Sequence, residues 1–225
     1  MRQYTSVYML TLSLCLCFKK KYIWALLLAL CAILNHKSAV IIVFIFVFFY
    51  FLKKEWFKNR WLYYVVIAGF VCSLALNVTK IFPFMEYLQG EEMFNEYTVY
   101  YNNLQSSGAV FSEKISKYIY IPLYFFSIFK LDNIKLKDTE KKIFIIGVFS
   151  YSIKIAILSL PYVYRLGSYL EVLMCVPLVY LLVYYARQKT LFTYISLLLY
   201  LLLPYLLKVT LFAKKEYLYD SYFFN

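Results

Sequence analysis

The sequence predicts an all-α fold: a polytopic helical integral membrane protein of about eight membrane helices with one long external loop. Three observations carry this reading. Of the 225 residues, 64% are hydrophobic and 22% aromatic, more apolar surface than a soluble domain of this length needs. Those residues come in long uncharged blocks, which suits spanning helices and lacks the alternation of a membrane β-barrel. The basic residues fall in short clusters between the blocks, 24 Lys and Arg against 12 Asp and Glu. The net charge of +12 therefore reads as membrane topology first and as contact with anionic headgroups second. No nucleic-acid partner is expected.

The first block, residues 4–18, follows Arg2 and Gln3 and stops at Lys19, Lys20 and Lys21. At about 1.5 Å per residue it measures about 22 Å, short for a crossing unless flanking side chains snorkel. The second block, 22–34, is also short and ends at the polar break Asn35-His36-Lys37, with Ser38 placed to cap the next helix. The third, 38–52, is rich in Ile, Val and Phe and ends in KKEWFKNR. The fourth, 61–78, leads into the polar segment 79–114. The fifth, 115–129, ends at the charged loop KLDNIKLKDTEKK. The sixth and seventh, 143–160 and 166–186, flank the turn PYVYRLGSY. The eighth, 190–212, follows Arg187-Gln188-Lys189 and precedes a tyrosine-rich tail.

If each block crosses once, the clusters at 19–21, 53–60, 130–142 and 187–189 all lie on one side. By the positive-inside rule that side is cytoplasmic, and both termini are outside. The outer side then receives Arg2, His36, the 79–114 loop, Arg165 and the tail. The loop carries Glu86, Glu91, Glu92, Glu96 and Glu113 against Lys80 and Lys114, as an external loop should. An alternative lays 22–34 in the interface and moves the N-terminus to the cytoplasm.

Residues 1–225 read as one membrane domain, with no cleavable signal peptide. The short first helix and its external start read as the C-terminal part of a longer protein. The five cysteines all fall inside apolar blocks without metal-ligand spacing and read as small packing residues.

His36 is the only histidine, and imidazole is the side chain whose ordinary pKa suits proton transfer near neutral pH. Its plainer reading is a helix-end residue at the membrane interface. Arg165 sits in an aromatic turn between two spans, where its permanent charge must lie at a membrane face. It reads either as a snorkelling anchor or as a bidentate grip on phosphate. Tyr169 follows one α-helical turn later, on the same face. With Arg2 and His36 at the same level, the group suits an anionic lipid-linked substrate. Lys154, Glu171 and Lys208 are the other charges inside blocks, and the sequence does not say which of them pair. Tyr97, Tyr100 and Tyr101, with Tyr87 and Phe94, give the external loop aromatic faces. Those suit sugar stacking or an interfacial helix equally well.

Arg2-Gln3 opening an apolar helix, the basic break, and then ALLLALCAILNHKSAVIIVF resemble the EpsG family of polysaccharide polymerases, within the wider Wzy or O-antigen-polymerase class. The tyrosine-rich external loop and Arg165-Leu-Gly-Ser-Tyr169 before a late span extend the resemblance along essentially the whole chain. It implies a membrane glycosyltransferase that joins oligosaccharide repeat units carried on undecaprenyl diphosphate. The site would lie at the outer face of the bacterial cytoplasmic (inner) membrane, and the product would be capsule, exopolysaccharide or O-antigen. In that scheme Arg165 and Arg2 bind the diphosphate and His36 is the base, with the external Glu residues as fallback. Gln3, Tyr169, Tyr97, Tyr100 and Tyr101 contact substrate. No cofactor or metal is required. Partners would be membrane lipids, with a flippase and a chain-length regulator alongside. The competing classes are a transporter of polysaccharide or lipid-linked sugar and a non-catalytic membrane subunit.

Overall fold

The computed structural model describes residues 2–51, 59–75, 115, 117–159 and 163–210, with side chains at all of these but 2, 3, 159, 163–165 and 207–210. Segment 79–114, with Tyr97, Tyr100 and Tyr101, lies outside the described residues, as does the tail beyond 210. Every described element is helical. In chain order they are α1 (Arg2–Phe18), α2 (Tyr22–Asn35), α3 (Ala39–Phe51), α4 (Asn59–Ala75), α5 (Ile121–Lys130) and α6 (Asp138–Ala156). Two 3-10 segments, Ile157–Ser159 and Val163–Leu170, lead to α7 (Glu171–Met174), α8 (Val176–Arg187) and α9 (Leu191–Thr210). Among the described residues, the polar breaks at 19–21, 35–37 and 187–189 fall at helix ends. The chain forms two compact units, Met1–Ile81 with Leu123–Leu181, and Phe82–Pro122 with Leu182–Asn225.

In the first unit α1 and α2 form an antiparallel hairpin in a heptad register. Ser6 and Ser13 on α1 donate to the carbonyls of Ala32 and Ala25 on α2, at 3.1 and 2.7 Å. Both alanines are buried. Small residues let the backbones approach, and hydroxyls bonded across helices hold well where water cannot compete. The turn between them is a Schellman motif. Lys21 N–H bonds to Leu16 O and Lys20 N–H to Cys17 O, both at 2.9 Å. Lys20 takes the left-handed position with φ 59°, a place usually filled by glycine.

α3 has no polar outer face. Ala39, Ile42, Phe46 and Phe49 form its buried stripe, yet Ile41, Phe44, Val47, Phe48 and Phe51 point outward. Ile23 of α2 is 77% exposed and Phe44 70% exposed. A helix apolar on every side has no face suited to water.

α6 is the element around which the rest of the unit packs. Glu140 accepts from Lys137 N–H at 2.8 Å and, with Asp138, places negative charge at the N-terminal end of the helix dipole. On one side α6 meets α4 where Gly69 lies against the Ser152 backbone. On another, Gly147 lets Pro177 and Leu173 approach. Tyr151 stacks on Tyr124 of α5, with centroids 3.7 Å apart and planes 9° apart, and the Tyr124 hydroxyl donates to Met174 O.

In the second unit, Tyr200 of α9 donates to Ile119 O at 2.9 Å and Tyr120 donates to Leu201 O at 3.1 Å. These bonds join the two stretches of chain that form the unit.

Among the described residues the helix Leu166–Arg187, 22 residues, is long and apolar enough to cross a membrane; the other apolar stretches, such as Asn59–Ala75 and Leu191–Leu206, run 10–17 residues. Two readings of the sequence change. The region around Arg165 is not a tight turn but a 3-10 helix that runs into α7. The cysteines are not core packing residues: Cys15, Cys31, Cys72 and Cys175 are exposed and Cys17 half-buried, with none of the five in a disulfide. Each lies on an outward apolar face, where a small apolar side chain is equally at home.

Candidate functional site

Three side chains, two of them neighbours in sequence and the third more than 130 positions later, meet at one end of the first unit. α2 ends at His36, whose extended backbone (φ −151°, ψ 111°) turns the chain while its N–H bonds to Ala32 O. Ala39 N–H then bonds to His36 O at 2.9 Å and starts α3. This turn lets His36 Nδ1 lie 2.6 Å from Ser38 Oγ. Tyr169, 133 positions later, brings its hydroxyl to 3.2 Å from the same nitrogen and 3.4 Å from Ser38 Oγ.

Tyr169 is fully buried, while His36 and Ser38 are half-buried. The tyrosine is thus a fixed wall, and the imidazole stands at the edge of the packed region. Two protonation patterns satisfy the cluster. A hydroxyl can donate to a neutral Nδ1, or Nδ1–H can donate to Ser38 or Tyr169 and leave Nε2 with its lone pair.

The first turn of α1 belongs to the same end. Asn35 Nδ2 donates to Ser6 Oγ at 3.2 Å, which pins the start of α1 beside the end of α2. The backbone of Arg2 lies four residues before Ser6, about 6 Å along the helix axis. α1 also packs against the segment Val163–Leu170 that carries Arg165 and Tyr169. The side chains of Arg2, Gln3 and Arg165 are outside the described residues. The 3-10 helix alters one detail. At about 3.0 residues per turn, positions 165 and 169 are offset by about 120° around the axis instead of sharing a face.

Beneath this segment sits a buried charge. Lys154, in the last turn of α6, has a side chain only 4% exposed and pairs with Glu171 at 3.1 Å. Its aliphatic stem lies against Gly167, where an added Cβ would strike Lys154 Cδ and come within 3.1 Å of Nζ. The ion pair therefore ties α6 to the start of α7, and the lysine stem packs on the 3-10 helix at Gly167, two residues from both Arg165 and Tyr169. Among the described residues no three His, Cys, Asp or Glu side chains gather to hold a metal ion.

Sequence reasoning singled out His36 and Tyr169, and the structure brings them together. It read Ser38 as a helix cap, where the hydroxyl in fact faces His36. The pairing of Lys154 with Glu171, 17 positions apart, has no local signal, because it depends on how α6 and the 3-10 helix cross.

Among protein-family models, one described as the EpsG family matches residues 1–223. Comparisons with curated proteins and with solved structures give no match.

Proposed function

The chain belongs to the EpsG family, and from that membership we propose that it is a multi-pass membrane glycosyltransferase that polymerises lipid-linked oligosaccharide repeat units. The observation that carries the site assignment is the His36–Ser38–Tyr169 cluster, at the end where the backbones of Arg2 and Arg165 also lie. The membrane reading draws on the outward apolar faces of α2 and α3, on the helix Leu166–Arg187 and on lysine clusters at alternate helix breaks. The shorter helices reach across by snorkelling flanks and local thinning of the bilayer. The site then faces outward from the cytoplasmic membrane, where undecaprenyl-diphosphate-linked repeats are joined.

In this reading the acceptor sugar hydroxyl attacks the anomeric carbon of the donor as the bond to the lipid diphosphate breaks. The leaving diphosphate keeps the electron pair, and Arg165 and Arg2 stabilise its charge. His36 Nε2 takes the hydroxyl proton. That uses the tautomer in which Nδ1–H donates to Ser38 or Tyr169, one of the two patterns the cluster accommodates, and the two hydroxyls orient the ring. Tyr97, Tyr100 and Tyr101 are assigned to the growing sugar chain. A transport reading needs intramembrane charges free to couple to an ion, and Lys154 and Glu171 are paired with each other.

The test is polymer length in membranes supplied with lipid-linked repeats. His36→Ala is expected to lower the polymerisation rate about 100-fold or more, as loss of a general base does. Arg165→Lys should shorten the product ladder, because an ammonium cannot replace a bidentate guanidinium. Tyr169→Phe should slow the reaction without stopping it. Unchanged ladders in His36→Ala and Arg165→Lys would overturn the site, and no ladder from the well-expressed parent chain would favour a non-catalytic subunit.

A further inference from the structure

The first unit carries a groove at the end opposite His36. It lies among the second half of α1, the first half of α2 and the second half of α3, with a cavity volume of about 370 Å³. Leu10, Leu14, Ala25, Ala29, Val43 and Phe46 line it. The hydroxyl of Ser13, the polar group along its side, is spent on Ala25 O. Tyr22 and Tyr50 close the lysine-rich end, their hydroxyls 2.9 Å apart.

That end is rimmed with cations. Lys19, Lys20 and Lys21 form the α1–α2 turn. Lys142, from the start of α6, sets its ammonium 5.4 Å from the Phe18 ring centroid and 5.2 Å from that of Tyr50, and donates to Tyr50 O. An ammonium has three donors, so one backbone bond leaves capacity for an anion. Burial pushes Lys142 below the usual lysine range, and a nearby negative charge would restore the charged form.

We propose that this groove is a binding site for an anionic phospholipid of the leaflet at the lysine-rich end, with an acyl chain between α1, α2 and α3 and the phosphate at Lys142 and the 19–21 turn. The proposal rests on the membrane reading above but not on polymerase chemistry. An apolar concavity on a surface facing hydrocarbon fills with hydrocarbon, and the cations at one end choose the headgroup. The lipid-linked substrate is not the occupant, because the His36 cluster lies at the other end of the same helices.

The experiment is native mass spectrometry of the full chain in detergent, titrated with phosphatidylglycerol, phosphatidylcholine or undecaprenyl phosphate. The expected result is one phosphatidylglycerol held about tenfold more tightly than phosphatidylcholine. Lys142→Gln should remove that preference, Lys142→Arg should keep it, and Ala29→Phe should weaken both phospholipids by filling the groove. Equal binding of the two phospholipids, or affinities unmoved by Lys142→Gln and Ala29→Phe, would overturn the site. Tighter binding of undecaprenyl phosphate than of phosphatidylglycerol would overturn the choice of occupant. The readout involves no polymer, so a failed polymerase assignment leaves this result standing.

Discussion

Glu171→Gln is expected to destabilise the folded chain by about 3 kcal/mol, at the lower end of what breaking a buried ion pair costs. The reason is an asymmetry in burial. The Lys154 side chain is 4% exposed, whereas that of Glu171 is 40% exposed. Removing the carboxylate strands a desolvated ammonium beneath the 3-10 helix. Removing the ammonium leaves a carboxylate that still reaches polar surroundings. Lys154→Met should therefore cost less than Glu171→Gln, since methionine keeps much of the stem that packs on Gly167. The double variant should be close to Lys154→Met alone, because no unpaired buried cation remains. Unfolding of all three chains in detergent gives the cycle directly. Equal costs for the two single variants would show that the pair is not held by burial of the lysine. If the pair positions the segment that carries Tyr169, Glu171→Gln should also loosen the His36 cluster. Efficient disulfide formation between cysteines placed at 38 and 169 should then fall relative to the same pair in the parent background.

The second large effect is expected at the packing face of α6. Gly147→Ala should destabilise by about 2–3 kcal/mol, the upper part of the range for overpacking. An added Cβ would lie 2.5 Å from Pro177 Cδ and 2.7 Å from Leu173 O. Neither neighbour can yield: one is a closed ring and the other is helix backbone, so α7 and α8 would have to move away from α6 as a body. That displacement also pulls on Tyr124, which donates to Met174 O and stacks on Tyr151. The same unfolding measurement checks it, and a loss under 0.5 kcal/mol, the size of an ordinary surface substitution, would show that the contact is not needed. The two effects concern two levels of one helix, its middle and its last turn. α6 meets Pro177 through Gly147 and Gly167 through Lys154, so it packs against the long helix Leu166–Arg187 both at its start and further along.

The helical class, the helix breaks and two of the three clustered side chains were legible in the sequence. Lysine clusters at 19–21 and 187–189 and the polar break at 35–37 end helices because charge and unsatisfied backbone groups do not belong in an apolar block. His36 and Tyr169 stood out because each is a polar group beside such a break. Residue identity and one-dimensional pattern determine features of that kind. Only the tertiary structure decided that Ser38 faces His36 instead of capping α3, that Val163–Leu170 winds as a 3-10 helix, and that Lys154 finds Glu171 across Gly167. The Lys154–Glu171 pair depends on how closely α6 approaches the chain at Gly167. Close approaches of this kind are set by small residues such as Gly147, Gly167 and the Ala25–Ala32 pair, which act by what they leave out. A missing side chain carries almost no pattern along the chain, and its effect exists only where another element comes close enough to use the space.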